Sequence, residues 1–577
     1  MDEVLLARLT APLAVHAFNG SGTHRDGPVG LAHALLAARE NAVAGPHRSS
    51  RGAWLAGDIR IDGQDELRDE LAASGASVPG NVTDEALVLA AWHAWGEDAV
   101  ARLRGDFSFA LWDPARRVLL CARDAFGVRP LYYADLGDAF VCSNVLAAVR
   151  AHPAVTSRLH EPAIVSFLCH GFNIDLTTTT FADIRRLAPA HQLTVSLDAG
   201  EGVPRRHWSF PAPAPLVYRR EEEYVERYRE LLGHAVQDRL RVPRVAILLS
   251  GGLDSTSLAA TVRRVSPATD VLAITMDVSV FSPNDDARLA TQVAQRLGLR
   301  HEIVREAPAQ LDHLRDTGFR APEPLDEPEY AEWRRLARRI SAETPVVFEG
   351  EDGDALFEPP GLRTMLRTWP VADVLARVVR YTVSHRRHPH LGLWLRRRLR
   401  EFGKAKPPVV PLWVRREVLA RAGLPQAAAV PRHPSRPLAQ ELLLGPVWQS
   451  LLETFEPAYS GAALEARWPL LDTRLLEFAL AIPPVPWCQR KEIVRVAFRD
   501  ELPAEVLRRP KTTLRGYDEA QIAVWRAARP CERLELSART REFVDGDSAL
   551  DHLRRGSATE VLGAWRVLAL DHWLRDL

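Results

Sequence analysis

The sequence has few cysteines, no excess charge of either sign and no long apolar run, and each absence excludes a class of protein. Its 5 cysteines show no C-x-x-C spacing, which argues against a zinc site or a disulfide framework and favours a reducing compartment. Lys+Arg and Asp+Glu both number 74, so there is no global basic field for nucleic acid. A secretion signal and an apolar run of bilayer length are also missing. We therefore expect a cytoplasmic protein that neither binds nucleic acid nor inserts stably into a membrane.

The composition changes along the 577 residues in a way that predicts two domains. Residues 1–208 (the front domain) contain short apolar runs separated by Gly, Pro and Asp turns, with a few helical stretches, which is typical of an α+β sandwich. Residues 209–216 belong to a Pro-rich stretch and predict a stiff linker. Residues 217–577 (the back domain) begin with continuous apolar strands that alternate with helices, the pattern of a doubly wound parallel sheet. From about Pro359 they continue as a mostly helical extension.

The most specific motif is the loop Ser250–Ser255 (SGGLDS), which lies between the apolar run Val245–Leu249 and a helical pattern. Gly251 and Gly252 allow successive backbone N–H groups to point at an anion, and the helix that begins near Leu253 adds its N-terminal dipole. The loop resembles the pyrophosphate loop of the ATP pyrophosphatases, which cleave ATP between its α- and β-phosphates and form an adenylate.

Side chains of the same loop strengthen this prediction. The hydroxyls of Ser250 and Ser255 can donate to the same anion, and Asp254 can hold a magnesium ion against the phosphates. The alternative is a chance Gly-Gly turn between a strand and a helix, and the complete motif in its strand–loop–helix context makes that the weaker interpretation.

An acidic turn, Glu349–Asp354, follows the apolar strand Pro345–Phe348. Loops at the carboxyl ends of parallel strands face one crevice, so we expect this turn beside the first loop. Asp354 is then a second magnesium ligand, Glu351 a general base for an attacking amine, and Gly350 a contact of the nucleotide. Taken alone, the turn is equally consistent with a solvated surface loop.

Two lysines further along the chain are candidates to stabilise a leaving group. Lys491 (in WCQRKEIVRVAF) and Lys511 (in RRPKTTL) follow the stretch Glu465–Asp472 (EARWPLLD). A reaction that releases pyrophosphate needs cations to neutralise the charge that builds on it, and lysines supply mobile point charges. Most lysines only solubilise a surface, so each is weak evidence without the other motifs.

These motifs together resemble the asparagine synthetase family over nearly the whole chain. The resemblance lies at Thr83–Glu85 and Arg102–Ala134 in the front domain, and at SGGLDS, Gly350–Phe357, EARWPLLD and both lysine stretches in the back domain. It implies an Ntn-hydrolase-like glutaminase domain in front of an ATP-pyrophosphatase domain, with ATP and Mg²⁺ as cofactors. The resemblance also implies roles: magnesium binding for Asp254 and Asp354, a base for Glu351, phosphate contact for Lys491, and adenine contact on strand ends for Leu248 and Ile274.

Two departures from the family concern the front domain. The family's glutaminase uses a cysteine directly after the initiator Met, whereas this chain has Asp2 and no cysteine before Cys121. The family's glutamine-binding Asn-Gly-Glu-Ile loop reads Ala-Gly-Asp-Ile at Ala56–Ile59. We therefore predict an inactive glutaminase domain, and without that ammonia source the synthesis of free asparagine from glutamine is excluded.

Two branches of the family with inactive front domains are the lasso-peptide cyclases and the β-lactam-forming synthetases. The β-lactam branch carries a tyrosine at the position of Glu351, whereas GEDGDALF, PPVPWCQRKEIVRVAF and RRPKTTL resemble the lasso-cyclase branch. This resemblance implies an enzyme that adenylates an Asp or Glu side chain of a precursor peptide and closes a macrolactam ring with the peptide's N-terminal amine. It also implies a separate leader-recognition protein and a leader protease as partners.

Other functions remain open from the sequence. They are a β-lactam synthetase or ammonia-dependent asparagine synthetase, a non-catalytic peptide-binding scaffold and, sharing only the pyrophosphate loop, a transfer-RNA thiolating enzyme. The segment Arg377–Arg416 is strongly basic with interleaved Trp and Leu. It is consistent with a docking surface for a peptide or protein, with contact to a membrane surface, or with a solvated helix face. The nearby His385, His388 and His390 have no spacing that predicts a metal site.

Overall fold

The computed structural model describes most of the chain. The described residues are 1–577 apart from 17–18, 37–43, 77, 80–81, 307–319, 327–329, 352, 391–409, 424–432, 511–515, 528–533 and 576, and the side chains of 201, 330 and 331 are also left out. The predicted catalytic residue Lys511 and the central part of the basic segment therefore lie outside the described residues. Among the helices of the described residues, none combines the length and apolarity needed to span a bilayer.

The described strands are numbered along the chain. They are β1 (Ser21–Asp26), β2 (Val29–Ala34), β3 (His47–Arg48), β4 (Trp54–Ile61), β5 (Gly105–Asp113), β6 (Val118–Arg123), β7 (Tyr132–Asp135), β8 (Phe140–Ser143), β9 (Arg185–Arg186), β10 (His191–Ser196), β11 (Gly200–Glu201), β12 (Arg205–Arg206), β13 (Arg244–Leu248), β14 (Asp270–Asp277), β15 (Arg300–Arg305), β16 (Val346–Phe348) and β17 (Glu465–Arg467).

The helices are named by their bounds. The α-helices are Glu3–Thr10, Gln64–Ala73, Asp84–Trp95, Leu146–Arg150, Glu161–His170, Glu221–Arg239, Leu253–Val265, Asp286–Leu297, Tyr330–Ser341, Gly353–Leu356, Leu362–Thr368, Val371–His385, Arg416–Ala422, Pro437–Leu444, Pro446–Thr454, Pro457–Ser460, Thr473–Ala481, Pro484–Trp487, Glu492–Ala497, Ala504–Arg508, Tyr517–Ala527, Ala538–Arg541, Gly546–Arg555 and Ala558–Arg575, and short 3₁₀ turns cover Ala11–Val15, Gly96–Arg102 and Gln489–Lys491.

The front domain has the predicted mixture of antiparallel sheets and helices. One sheet has the order β11-β10-β6-β5-β4-β3, with β12 also paired to β10, and a second has the order β8-β7-β9. The two sheets pack through an apolar layer that includes Cys121, Leu131 and Tyr133. Alternate residues of the larger sheet point to its other face and pack against the helices Gln64–Ala73 and Asp84–Trp95.

The back domain contains the predicted parallel sheet. Its five strands have the order β15-β14-β13-β16-β17, and every pair is parallel. The direction in which successive strands are added therefore reverses between β13 and β16. In open α/β sheets, ligands bind beyond the carboxyl ends of the strands at such a switch point. Both predicted loops, SGGLDS after β13 and the acidic turn after β16, begin there.

The sequence pattern does not predict the edge strand β17. Its three residues include Glu465 and Arg467, so no apolar run marks it. The two charged side chains are nevertheless buried at 6% and 0% exposure, and they form an ion pair of 2.8 Å. Tertiary pairing with β16 thus outweighs weak local β propensity.

Buried ion pairs join the two domains. The guanidinium of Arg129 in the front domain contacts Glu456 at 2.9 Å and Glu465 at 3.1 Å in the back domain. Asp84, part of the Thr83–Glu85 motif, pairs with Arg241 at 2.9 Å. All three carboxylates are buried, so each depends on its arginine partner across the domain boundary for its counter-charge.

Candidate functional site

The loop Ser250–Ser255 has the geometry of an anion site. The Ser250 N–H donates to Ser255 Oγ at 3.1 Å, and the two serine hydroxyls lie 3.2 Å apart. The helix Leu253–Val265 begins after Gly252, and within the described structure no side chain caps it. Its first-turn N–H groups lie beside both hydroxyls, so a phosphate bound at this helix end can accept from them.

Close contact between the two loops depends on glycines in the acidic turn. A Cβ atom at Gly350 would lie 2.8 Å from both the N and the Cα of Ser255, and a Cβ at Gly353 would overlap the carboxylate of Asp254. Both glycines are buried. The absence of a side chain at these two positions is what allows the acidic turn to lie directly against the serine loop.

We expect Gly350→Ala to reduce ATP cleavage by about 10²-fold, because the added methyl forces the two loops apart and displaces the reacting groups. Steady-state formation of AMP measures this effect. Gly233→Ala is the matched control, since a Cβ there meets only Val265 Cγ1 at 3.5 Å, and its rate should equal that of the unaltered protein. Equal rates for both variants would contradict the assigned contact.

Lys491 lies between the two predicted metal ligands. Its ammonium contacts Asp254 Oδ2 and lies 2.5 Å from Asp354 Oδ1. Burial lowers the pKa of Lys491, but its ion pairs with the two aspartates outweigh burial, and the net pKa is raised. Arg490 and Lys491 have positive φ angles of 51° and 57°, an uncommon backbone for residues other than glycine. The strained turn Gln489–Lys491 therefore presents a permanently charged cation to the carboxylates.

The same carboxylates fit a magnesium site. Asp254 and Asp354 oxygens converge on one point, the Lys491 ammonium, so a cation placed between them would meet two oxygen ligands. Mg²⁺ is held in many phosphate sites by one or two carboxylates, and the phosphates and waters supply the rest. Within the described residues there is no group of three or more His, Cys, Asp or Glu side chains placed to hold a metal by themselves. The donor set therefore fits Mg²⁺ that arrives with a nucleotide.

Glu351, the predicted base, is exposed in the acidic turn. Its neighbour Glu349 is buried, and the Glu349 N–H donates to the carbonyl of Arg467 at 3.0 Å. Burial, with added repulsion from Glu351, raises the pKa of Glu349 well above its usual value. Glu351 is thus the carboxylate of this pair that solvent or a substrate can reach.

The two residues expected on strand ends differ in position. Leu248 is the last residue of β13 and is half-buried, as expected for the wall of a site beside the serine loop. Ile274 pairs with Leu248 in register but is 1% exposed, and β14 continues past it to Asp277. The expectation that Ile274 ends its strand is thus wrong, because the strand runs on through polar Thr275 and beyond.

Sequence reasoning missed a partly buried arginine beside the site. A Cβ at Gly251, whose φ is +66°, would lie 2.8 Å from the carbonyl oxygen of Asp286. The Asp286 carboxylate in turn forms an ion pair with Arg509, whose side chain is 11% exposed. Arg509 lies in RRPKTTL, where only Lys511 was selected. The sequence signal that could have identified it is the pair of arginines directly before Pro510 and Lys511.

The front domain has no cysteine at its second residue, and the structure shows what stands there. Asp2 caps the first helix, accepting from the N–H groups of Val4 and Leu5 at 3.3 Å. The Met1 ammonium donates to the carbonyl of Gly27 at 2.6 Å. Beside them is a cavity of about 460 Å³ whose only described cysteine is Cys142. Asp2 thus stabilises a helix N-terminus.

Comparisons with known proteins agree in the domains they match. The Asparagine synthase family model matches residues 227–575, and the Glutamine amidotransferase domain model matches residues 2–208. The chain is 28% identical over 476 residues to glutamine-hydrolyzing asparagine synthetase 3 of Bacillus subtilis, covering 78% of this chain and 73% of that protein. It is 27% identical over 351 residues to amidase chyE of Penicillium rubens, covering 57% and 51%. A solved U34-tRNA thiolase of Methanococcus maripaludis aligns over 61% of this chain and 88% of its own, at 12% identity, with a TM-score of 0.23, too low to support an argument.

Proposed function

The chain belongs to the asparagine synthase family of ATP-dependent amide-forming ligases, and we propose that it is a macrolactam synthetase of the lasso-peptide type. In this proposal it adenylates an Asp or Glu side chain of a precursor peptide and joins that carboxyl to the peptide's own N-terminal amine. The observation that supports an adenylating site is the convergence of Asp254, Asp354 and Lys491 at the switch point of the sheet. The helix cap at Asp2 supports an amine source other than glutamine.

The proposed reaction has two steps. A carboxylate oxygen of the peptide attacks the α-phosphorus of ATP, and the bond to pyrophosphate breaks. The Ser250–Ser255 loop binds the phosphates, and Lys491 offsets the charge that develops on the leaving pyrophosphate. Mg²⁺ held by Asp254 and Asp354 supplies further electrostatic stabilisation when bound.

In the second step the N-terminal amine attacks the acyl carbon and AMP leaves. Glu351 takes the proton that the attacking nitrogen loses, a role that its exposure permits. Because the amine and the acyl group belong to one peptide, positioning converts ring closure into a unimolecular step.

The direct experiment incubates purified protein, ATP, Mg²⁺ and a leader-processed precursor peptide and analyses the products by mass spectrometry. We expect a peptide lighter by one water, with AMP and pyrophosphate released, and no such product with Asp254→Ala. AMP formation only with a small amino acid would instead favour a β-lactam synthetase. AMP formation only with aspartate and ammonia would favour an asparagine synthetase, like the relative from Bacillus subtilis. A lack of ATP cleavage with every substrate would favour the non-catalytic scaffold.

We also expect no release of glutamate from glutamine, and no change in ATP turnover when glutamine is added. The reason is that the family's cysteine nucleophile is replaced by Asp2, whose carboxylate is engaged at the helix N-terminus. A coupled glutamate assay measures this. Glutamate formation above the rate of a heat-denatured sample would contradict the predicted loss of glutaminase activity.

A further inference from the structure

An apolar stripe lies exposed on the helix Val371–His385. Its four side chains recur at every fourth position and are more than half exposed: Val371 (55%), Leu375 (55%), Val379 (61%) and Val383 (73%). The opposite face of the helix is buried, with Val374 and Tyr381 packed in one apolar cluster with Val485. The helix is thus anchored by its inner face, and the stripe is available to a partner.

The sequence around this stripe is rich in arginine and poor in acidic residues. Between residues 361 and 390 the sequence has one acidic residue, Asp373, and six arginines: Arg363, Arg367, Arg377, Arg380, Arg386 and Arg387. Arg380 contacts Glu221 at 3.1 Å but is 69% exposed. An apolar row flanked by cations is complementary to a segment that carries apolar anchors at helical spacing together with Asp or Glu.

The end of this helix contacts the residues on both sides of Lys491. His385 Nε2 lies 3.4 Å from Glu492 Oε1, and the backbone N–H of His390 donates to Gln489 Oε1 at 2.7 Å. Gln489 is fully buried. The C-terminal end of the helix that carries the stripe therefore packs beside the strained turn that positions the Lys491 ammonium.

We propose that the stripe and its arginines (the docking surface) bind an acidic, amphipathic segment of the polypeptide substrate outside the reacting part. The inference rests on the proposed peptide substrate, and it names where that substrate is held. A segment bound here lies beside the Lys491 turn, so the tethered reacting end gains a high effective concentration at the adenylation site. The polypeptide is favoured over a lipid surface because the helix that carries the docking surface packs beside the catalytic turn.

Binding is tested with a designed fluorescein-labelled helix of about 18 residues, or five turns, with Leu at every fourth position and Glu between. The control probe carries Lys in place of Glu. We expect the protein to bind the Glu probe and not the Lys probe, with affinity that falls as salt rises. Leu375→Glu/Val379→Glu should weaken binding at least about 10-fold. Val447→Glu, at another exposed valine (64%), should leave binding unchanged.

Other results would overturn the inference. The first is equal binding of the Glu probe by the unaltered protein and all variants. The second is binding to phosphatidylglycerol vesicles that the double variant loses, without binding to the Glu probe. Circular dichroism checks that the double variant is folded. If it is not, Arg386→Glu/Arg387→Glu, which lies past the helix at exposed positions, must show the same loss for the inference to stand.

The design separates this inference from the proposed function, because the probe assay uses no ATP. Probe binding without AMP formation from any peptide would contradict the macrolactam synthetase and leave the docking surface supported. Ring closure by the double variant with an unchanged KM for the leader-processed precursor peptide would contradict the docking surface alone.

Discussion

Replacing Lys491 by methionine is expected to lower kcat for AMP formation by about 10²- to 10³-fold, the loss typical when one preorganised charge is removed from a transition state. Methionine keeps an unbranched stem but removes the ammonium that contacts Asp254 and Asp354. The charge on the departing pyrophosphate then loses the ammonium that lies between the two aspartates. Rapid-quench measurement of AMP at saturating ATP and Mg²⁺ gives the result.

The matched control for Lys491 is Arg499→Met. Arg499 is a cation that is 72% exposed and lies 3.5 Å from Asp500, which is 89% exposed, so turnover should stay within about twofold of the unaltered protein. If Lys491→Met turned over at the rate of Arg499→Met, Lys491 would have no role in catalysis. A thermal melt of both variants shows whether the loss of rate is separate from a loss of folding.

The second large effect is on stability. Arg129→Met is expected to lower the free energy of unfolding by about 3–5 kcal/mol, because removing one partner leaves buried carboxylates without their counter-ion. Arg129 is 5% exposed and contacts Asp58, Glu456 and Glu465 at 3.2, 2.9 and 3.1 Å. Urea denaturation followed by tryptophan fluorescence measures the change.

Arg117→Met is the control for Arg129, because Arg117 pairs with Asp198 at 3.1 Å with both side chains more than half exposed. Its cost should be at most about 1 kcal/mol. Equal destabilisation by the two substitutions would contradict a structural role for the buried cluster.

The pH dependence of the free energy of unfolding is a second test of the role of Arg129. Burial raises the pKa of Glu456 from 4.5 to about 7, although Arg129 opposes the shift. The folded state thus binds more protons than the unfolded state, and this group's contribution to stability is lost as pH rises from about 4.5 through 7. Without Arg129 the pKa rises further, so the deficit of Arg129→Met should be larger at pH 8 than at pH 5. A deficit independent of pH would contradict the assignment.

The loops of the site were predictable from the sequence because local signals mark them. The SGGLDS loop and the acidic turn each follow a short buried strand, and the parallel sheet places both at one edge. Lys491 was a weaker prediction, yet the chain has only four lysines, Lys404, Lys406, Lys491 and Lys511, among 74 basic residues. In a sequence that otherwise uses arginine, a lysine is stronger evidence of a specific role than it usually is.

Other features depend on tertiary contacts that a local pattern does not encode. The positive φ angles at Arg490 and Lys491 could not be predicted, because neither residue is a glycine. The cluster around Arg129 joins side chains more than 300 residues apart in sequence. A local sequence pattern predicts exposed positions for such charged residues. The strand β17 is buried although two of its three residues are charged. Each of these follows from pairing between the domains or strands rather than from propensity.

The most direct test of the account uses a precursor peptide whose side-chain carboxylate is labelled with oxygen-18. If that carboxylate is adenylated, one labelled oxygen leaves with the phosphate of AMP, and mass spectrometry should find AMP heavier by one oxygen-18, in equal amount to the cyclised peptide. Unlabelled AMP, or a label found in inorganic phosphate beside ADP, would contradict an adenylating site built on Asp254, Asp354 and Lys491.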